Sequence, residues 1–248
     1  MINLAILIPT YNEAGSIGVL LNELTRYREQ TSVDFDVFVI DDNSPDKTAE
    51  LVDEMSLPWV KVLSRKKKDG LGAAYREGFK KALATQKYTH FVTMDADGSH
   101  QVTDLSTLVR TLNSATSTKL VILGTRWIPG GGTVNWPIFR IILSKAGTRY
   151  AKSVLGIDLK DLTGGFRIYS SELLSSLNLD EMHTAGYCFQ IEMIISARVA
   201  GATFLEVPIT FVERREGESK MTPWIAIEAF RFVTARGLAR LLDQIFRR

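Results

Sequence analysis

The side chains best suited to chemistry are two pairs of carboxylates, each placed directly after an apolar run. Asp95 and Asp97, separated by Ala96, close the stretch Phe91-Val92-Thr93-Met94, and Gly98, Ser99, His100 and Gln101 follow as a loop. Asp41 and Asp42 close Phe38-Val39-Ile40 in the same way. A buried strand that stops on two acids offers hard oxygen ligands at a sheet edge, suited to Mg2+ or Mn2+ holding a phosphate. Magnesium keeps several waters and takes further oxygens from phosphates, so few protein ligands are needed. Asp95 and Asp97 therefore read as metal ligands, one binding directly and the other orienting a water or a substrate hydroxyl. Asp41 and Asp42 read either as a polar turn, since Asn43, Ser44 and Pro45 follow, or as acceptors for a ribose or base. Other candidates are cationic. Arg214, Arg215 and Lys220 surround Gly217, a pattern that suits a solvated loop or a lid that clamps phosphates. Arg140 and Ser144, four apart on a predicted helix, share one face, and a guanidinium with a hydroxyl makes a phosphate seat. His90, His100 and His183 lack metal-binding spacing and read as structural or exposed. No Ser, His and Asp spacing suggests a hydrolase triad.

Such groups need strands that end together. Leu4–Ile8, Phe35–Ile40, Trp59–Leu63, Phe91–Met94 and Leu120–Leu123 read as strands. Helical patterns run through Ile17, Leu20, Leu21 and Leu24, over Lys47–Met55 with Pro45 in the opening turn, and after Gly70-Leu71-Gly72. This rhythm predicts an α/β fold: a mixed, mostly parallel sheet with helices on both faces. Ligands of such sheets lie outside the carboxyl ends of the strands, where both acidic tips fall. After Arg126 the rhythm breaks into a loop over 128–133, a helix from about Pro137 to Leu155, and mixed signals over Glu172–Leu177, Gln190–Ala200 and Phe204–Val207. The tail from Trp224 is helical and gathers Ile227, Phe230, Leu238, Leu241, Leu242 and Ile245 on one side. Residues 1–222 read as one domain, and 223–248 as an amphipathic helix packed on it or associated with a membrane.

The bulk properties narrow the class. The 248 residues are 45% hydrophobic and 23% charged, as in a folded globular protein. A net charge of +2 gives no reason to expect a nucleic-acid partner. Cys188 is the single cysteine, so no internal disulfide forms, which fits a reducing compartment. Met1-Ile2-Asn3 has no basic region and reads as the approach to a first strand, not as a signal peptide. No segment reaches the ~20 apolar residues of a spanning helix, so a soluble or peripheral protein is expected. No G-x-G-x-x-G follows the first strand, which argues against a dinucleotide-dependent dehydrogenase.

Pro9-Thr10-Tyr11-Asn12-Glu13, the run from Asp41 to Thr48, and Asp95-Ala96-Asp97 stand in the order and spacing of the family 2 inverting glycosyltransferases, which the chain resembles. Gly124-Thr125-Arg126, the run from Asp161 to Arg167, and Gly217-Glu218-Ser219-Lys220-Met221 narrow the resemblance to the dolichol- or polyprenol-phosphate mannosyltransferases. It extends from Leu4 to about Met221. The resemblance implies a GT-A (Rossmann-like) fold, GDP-mannose as donor, a polyprenyl (dolichyl-type) monophosphate as acceptor, and Mg2+ or Mn2+. It implies that Pro9, Tyr11 and Glu13 contact the nucleotide, with Ile40 and Asp42 near the base and ribose. Asp95, Ala96 and Asp97 would hold the donor through its metal, and Arg214 and Lys220 would close over the diphosphate. Arg126, Arg140 and Ser144 would receive the acceptor phosphate. Ser99 departs from the pattern: some relatives carry Gln there, which can join the metal, whereas a hydroxyl is a poorer ligand that water can replace.

The resemblance also implies a membrane surface, because the acceptor is a long isoprenoid. The helix after Pro223, with Trp224, Ile227, Phe230 and Phe246 beside Arg231, Arg236, Arg240, Arg247 and Arg248, suits an interfacial position. Packing on the domain or contact with a separate membrane subunit is the alternative. The expected location is cytoplasmic, peripheral at the cytoplasmic face of a membrane. Rival readings are a UDP-glucose-dependent polyprenyl-phosphate glucosyltransferase, a transferase to sugar hydroxyls, and a nucleotide-sugar-binding protein without turnover.

Overall fold

The computed structural model describes residues 2–182, 184, 186–213 and 223–246, with the backbone alone for 187, 223–226 and 240–246. The chain begins β1 (Asn3–Thr10), α1 (Ala14–Gln30), β2 (Asp34–Asp41), α2 (Thr48–Glu54), β3 (Val60–Ser64), α3 (Leu71–Leu83) and β4 (His90–Thr93). It continues α4 (Val102–Ser114), β5 (Leu120–Thr125), β6 (Gly132–Val134), α5 (Ile138–Leu155), β7 (Arg167–Ser170) and α6 (Ser171–Ser176). The last elements are α7 (Gly186–Val199), β8 (Thr203–Pro208), β9 (Thr210–Val212) and α8 (Pro223–Phe246).

Seven strands form the main sheet in the order β3-β2-β1-β4-β7-β5-β8. All neighbours are parallel except β7, which runs antiparallel between β4 and β5. The period of two decides the layers. Ala5 and Leu7 of β1, with Phe38, Ile40, Phe91, Val121 and Leu123, pack on α3, α5, α6 and α7. Leu4, Ile6 and Ile8, with Val37, Val39, Val92 and Ile122, pack on α1, α2 and α4. Burial on both faces explains why these strands are apolar throughout instead of alternating with polar residues.

The chain leaves β1 toward β2 and β3, then returns to place β4 on the other side of β1. That reversal opens a crevice beyond the carboxyl ends of β1 and β4. Thr10 pairs with Asp41 in register, so the β1 and β2 tips end level.

Four local expectations change. Pro45 lies in a turn before α2, not in its first turn, because Lys47 takes a left-handed φ of 61° and the helix starts only at Thr48. Leu71 and Gly72 begin α3 instead of preceding it. The loop expected over 128–133 ends in β6, which pairs with β9 as a second, two-stranded sheet. β7 (Arg167–Ser170) is a strand that the sequence pattern did not single out.

The C-terminal helix α8 lies on α5 and α7. Val233 is buried, the ring of Phe230 stacks on Tyr150 at 4.8 Å, and Tyr150 and Thr234 share a hydrogen bond of 2.7 Å. A Cβ on Gly237 would stand 2.2 Å from Val154 Cγ1, so glycine permits this close crossing. Ile227 and Leu238 face solvent. Among the described residues, no helix is long and apolar enough to cross a membrane.

Candidate active site

The crevice is a cleft of about 390 Å3 lined by the tips of β1, β2 and β4, the start of α3, and residues from α7 and α8. Pro9, Tyr11, Glu13, Asp42, Asp95, Ala96 and Asp97, all singled out in the sequence, line it together. Ile40 does not. Its side chain is fully buried in the core against α3, because alternation along β2 turns it away from the tip.

The motif from Asp41 to Thr48 is mainly a brace. Asp41, 2% exposed, accepts from Thr10 Oγ1 (2.9 Å), Ser44 N (2.8 Å) and Ser44 Oγ (2.5 Å). Asp46 accepts from Ala14 N (3.0 Å) and from Thr48 N and Oγ1, while Thr48 Oγ1 accepts from Glu13 N (3.0 Å). Although partial burial opposes ionisation, these donors hold the Asp46 carboxyl below its ordinary value. The brace fixes the Asn12–Glu13 turn, in which Asn12 takes a φ of 58°. Asp42 is the member that reaches the cleft. It pairs with Arg65, whose Nε also donates to Glu77 Oε2 at 3.0 Å. Burial outweighs Arg65 and raises the Asp42 pKa.

At the β4 tip, Asp95 N donates to His100 Nδ1 at 3.0 Å, so this nitrogen is the acceptor of a neutral ring. His100 is buried between Phe166, stacked at 4.9 Å, and the edge of Phe211 at 5.3 Å. Its role is structural, as the sequence suggested, and it sets the turn that presents Asp95. Gly98 has a φ of +74°, which lets the loop fold back so that Ser99 N donates to Asp97 Oδ1 at 3.0 Å. His183 lies outside the described residues.

The expected acceptor groups stand beside this cleft, not in its lining. Arg126 donates from Nε and Nη2 to Asp161 (2.6 and 2.8 Å), and Nη2 also reaches Thr163 Oγ1 at 2.9 Å. Asp161 is fully buried. Burial opposes its charge, but Arg126 and the backbone N–H groups of Arg126 and Thr163 overcome this and lower its pKa. Arg140 donates from Nη1 to both oxygens of Glu213 (2.5 and 2.7 Å) and lies 3.9 Å from the ring centre of Trp136. Arg126 lies 5.3 Å from the same ring. The two arginines, 14 positions apart in sequence, therefore meet around one indole. Ser144 is half-buried on the Arg140 face of α5. Thr163 lines the cleft and accepts from Arg126, joining the two regions. Arg214 and Lys220 lie outside the described residues.

Sequence reasoning missed several lining residues. Lys68 extends over Tyr11, 3.8 Å from the ring centre. The basic run Lys66-Lys67-Lys68 just beyond β3 was the available signal. Gln190 and Glu228 arrive from helices distant in sequence and carried none. Arg167, in the motif that begins at Asp161, is a core staple: it is fully buried and donates to the carbonyls of Gly164, Gln190 and Leu162.

A sequence profile of the family described as Glycosyl transferase family 2 matches residues 5–177. The chain belongs to this family. It is 43% identical to the undecaprenyl-phosphate mannosyltransferase of Micrococcus luteus, over 94% of this chain and 93% of the relative. It is 38% identical to the polyprenol monophosphomannose synthase of Mycolicibacterium smegmatis, over 96% of this chain and 88% of the relative. Among solved structures, glucosyl-3-phosphoglycerate synthase from Mycobacterium tuberculosis, in complex with Mn2+, UDP and phosphoglyceric acid, matches with a TM-score of 0.69 at 18% identity, covering 95% of this chain and 78% of that one. Mannosyl-3-phosphoglycerate synthase from Rubrobacter xylanophilus matches with a TM-score of 0.66 at 17% identity, over 100% and 76%. The fold is thus the mixed, mostly parallel α/β sheet of GT-A glycosyltransferases, and this chain is a glycosyltransferase.

The β4 tip fits the divalent ion that the fold implies. Among the described residues, no group of three or more His, Cys, Asp and Glu side chains is set for a metal. Asp95 and Asp97 bring two hard-oxygen carboxylates to the cleft, and Mg2+ or Mn2+ needs few protein ligands when phosphates and waters supply the rest. Ser99 Oγ is buried without a hydrogen-bond partner, and Ser99 is not part of the cleft lining.

Proposed function

We propose that this glycosyltransferase moves mannose from GDP-mannose to a polyprenyl monophosphate, with inversion at the anomeric carbon. The observation that carries this reading is the junction at Thr163: a cleft with paired carboxylates on one side meets two indole-bridged arginines on the other. Carboxylates at a strand tip suit the metal-bound diphosphate of a donor, and clustered guanidinium groups suit a phosphate acceptor. The identities to polyprenyl-phosphate mannosyltransferases support the same pairing.

In this reading Asp95 and Asp97 hold Mg2+ or Mn2+, which supplies charge neutralisation for the departing diphosphate. Pro9, Tyr11 and Glu13 seat the nucleotide, and Asp42 offers two acceptor oxygens for the adjacent N–H and NH2 donors of guanine. Uracil has no such pair of donors, so Asp42 favours GDP over UDP. Arg65 keeps that carboxylate oriented. Arg126, Arg140 and Ser144 hold the acceptor phosphate, one oxygen of which forms a bond to the anomeric carbon. The bond from that carbon to the GDP oxygen breaks, and GDP leaves with the electron pair. The acceptor is already an anion near neutral pH, so no general base is required. Arg214 and Lys220 are assigned to the leaving diphosphate on the family resemblance alone. An isoprenoid acceptor supports a peripheral position at a membrane, and a nucleotide-sugar donor suits its cytoplasmic face.

A donor screen tests the assignment. GDP-mannose, GDP-glucose and UDP-glucose are offered with a short polyprenyl phosphate, and lipid-linked sugar and released nucleotide are both measured. GDP-mannose is expected to give the highest kcat/KM. Equal or faster transfer from UDP-glucose would overturn the donor assignment.

A further inference from the structure

A second cleft, of about 540 Å3, lies beside the acceptor arginines and has no part in the chemistry above. It is lined by Trp127, Lys145, Thr148, Arg149, Lys152, Ser153 and Lys160. Lys145, Arg149 and Lys152 fall at i, i+4 and i+7 on α5 and form one basic stripe. Two of the four cations are already matched: Asp158 accepts from Lys152 at 2.7 Å and from Lys160 at 3.3 Å. Glu206 also accepts the backbone N–H of Lys160, at 2.7 Å. Lys145 and Arg149 form no ion pair among the described residues, and Lys145 sits 4.9 Å from the ring centre of Trp127.

Two neutral donors are left over in the same place. Thr148, 4% exposed, has a buried hydroxyl without a hydrogen-bond partner, and the indole N–H of Trp127 is likewise buried and unpartnered. Unmet buried donors are costly. Beside two unmatched cations they describe the partners of a tetrahedral oxyanion. One to two turns toward the N-terminus of α5, Ile138 (76% exposed), Phe139 (69%) and Ile142 (62%) present a bare apolar surface.

We propose that this cleft binds a phosphate mono- or diester at a site separate from both substrate subsites, with Lys145 and Arg149 as its charge and Thr148 and Trp127 as its neutral donors. The adjoining apolar turns favour the headgroup of an anionic phospholipid as its source, with Ile138, Phe139 and Ile142 entering the acyl boundary. Residues of α5, not of α8, would then be the principal membrane contact.

The test uses the full chain and vesicles free of polyprenyl phosphate, so its outcome is independent of the transferase reading. Sedimentation compares phosphatidylcholine vesicles with and without phosphatidylglycerol. Lys145→Ala/Arg149→Ala is expected to lower affinity for the anionic vesicles by about 20-fold, while the charge-matched pair Lys81→Ala/Arg110→Ala leaves it unchanged. In parallel, inorganic phosphate is titrated while tryptophan emission is read, with Trp127→Phe identifying the responding ring. A saturable, Trp127-dependent response that also releases bound vesicles assigns the site to a headgroup. The same response without vesicle binding assigns it to free phosphate. Thr148→Val, close in volume, is expected to weaken the phosphate response and provides a readout should the double variant fail to fold. Equal losses in both double variants, or phosphate and vesicle binding indifferent to Lys145, Arg149 and Thr148, would overturn the proposal.

Discussion

The two sides of the proposed reaction cleft are held together by different kinds of contact. On the donor side the Asp41–Thr48 turn is braced by hydroxyls and backbone N–H groups around Asp41 and Asp46, Ser99 N donates to Asp97, and an ion pair joins Asp42 to Arg65. On the acceptor side, arginines are held by carboxylates: Arg126 by buried Asp161, and Arg140 by Glu213. The strand tips bring Asp42, Asp95 and Asp97 to one cleft, hard oxygens that suit a cation carrying a diphosphate. The acceptor side is preorganised by charge pairs whose guanidinium groups meet at Trp136. One half is thus braced mainly by hydroxyls and backbone N–H groups and the other mainly by ion pairs, and the two should fail differently when damaged.

The largest effect is expected on the acceptor side. Asp161→Asn leaves Arg126 buried without its counter-charge, which should cost about 3–5 kcal/mol of unfolding free energy in denaturant titrations. The same pair gives a pH dependence. The Asp161 pKa is lower in the folded protein than its unfolded value, so the unfolded chain takes up the proton first. The stabilisation is fully present above roughly pH 4 and is lost as the pH falls further. The wild type should therefore lose stability with acid more steeply than Asp161→Asn, and parallel curves would remove the pair from the account.

On the donor side, Asp97→Ala should lower transfer on the order of 10^2–10^3-fold with little change in melting temperature. Loss of fold instead of rate would make this residue part of the scaffold. Next in size, Arg140→Ala should raise the acceptor KM roughly 10- to 100-fold, as expected for a lost charged hydrogen bond, and leave the donor KM unchanged. A matching rise in both constants would erase the proposed division. The smallest effect belongs to Lys68→Ala, which removes a cation from Tyr11 at the cleft mouth and should raise the donor KM only about two- to fivefold. An effect confined to the acceptor KM would contradict its placement.

The contrast also explains what could be read from the sequence. Strand-tip acids are local signals: an apolar run followed at once by Asp95 and Asp97 reveals both the element and the group it carries. The pairing of Arg126 with Asp161 spans 35 positions and left no local trace. β7 was invisible because it has only four residues, opens on Arg167 and inserts antiparallel between strands read as neighbours in a parallel rhythm. The misplaced start of α2 has a different origin, since the left-handed backbone of Lys47 is not encoded by a residue type that requires it. Resemblance to the family pointed to Arg126, and spacing on one helix face together with the resemblance pointed to Arg140 and Ser144. The meeting of Arg126 and Arg140 at Trp136, and the basic cleft behind Trp127, emerged only from the packing of α5.

The most direct test of the central claim is the anomeric configuration of the product. Wild-type enzyme is supplied with GDP-mannose, a short polyprenyl phosphate and Mg2+, and the lipid-linked sugar is examined by NMR. Single displacement by an acceptor phosphate predicts a β-linked mannosyl phosphate formed in equal amount with GDP. An α-linked product, or GDP release without lipid-linked mannose, would contradict it.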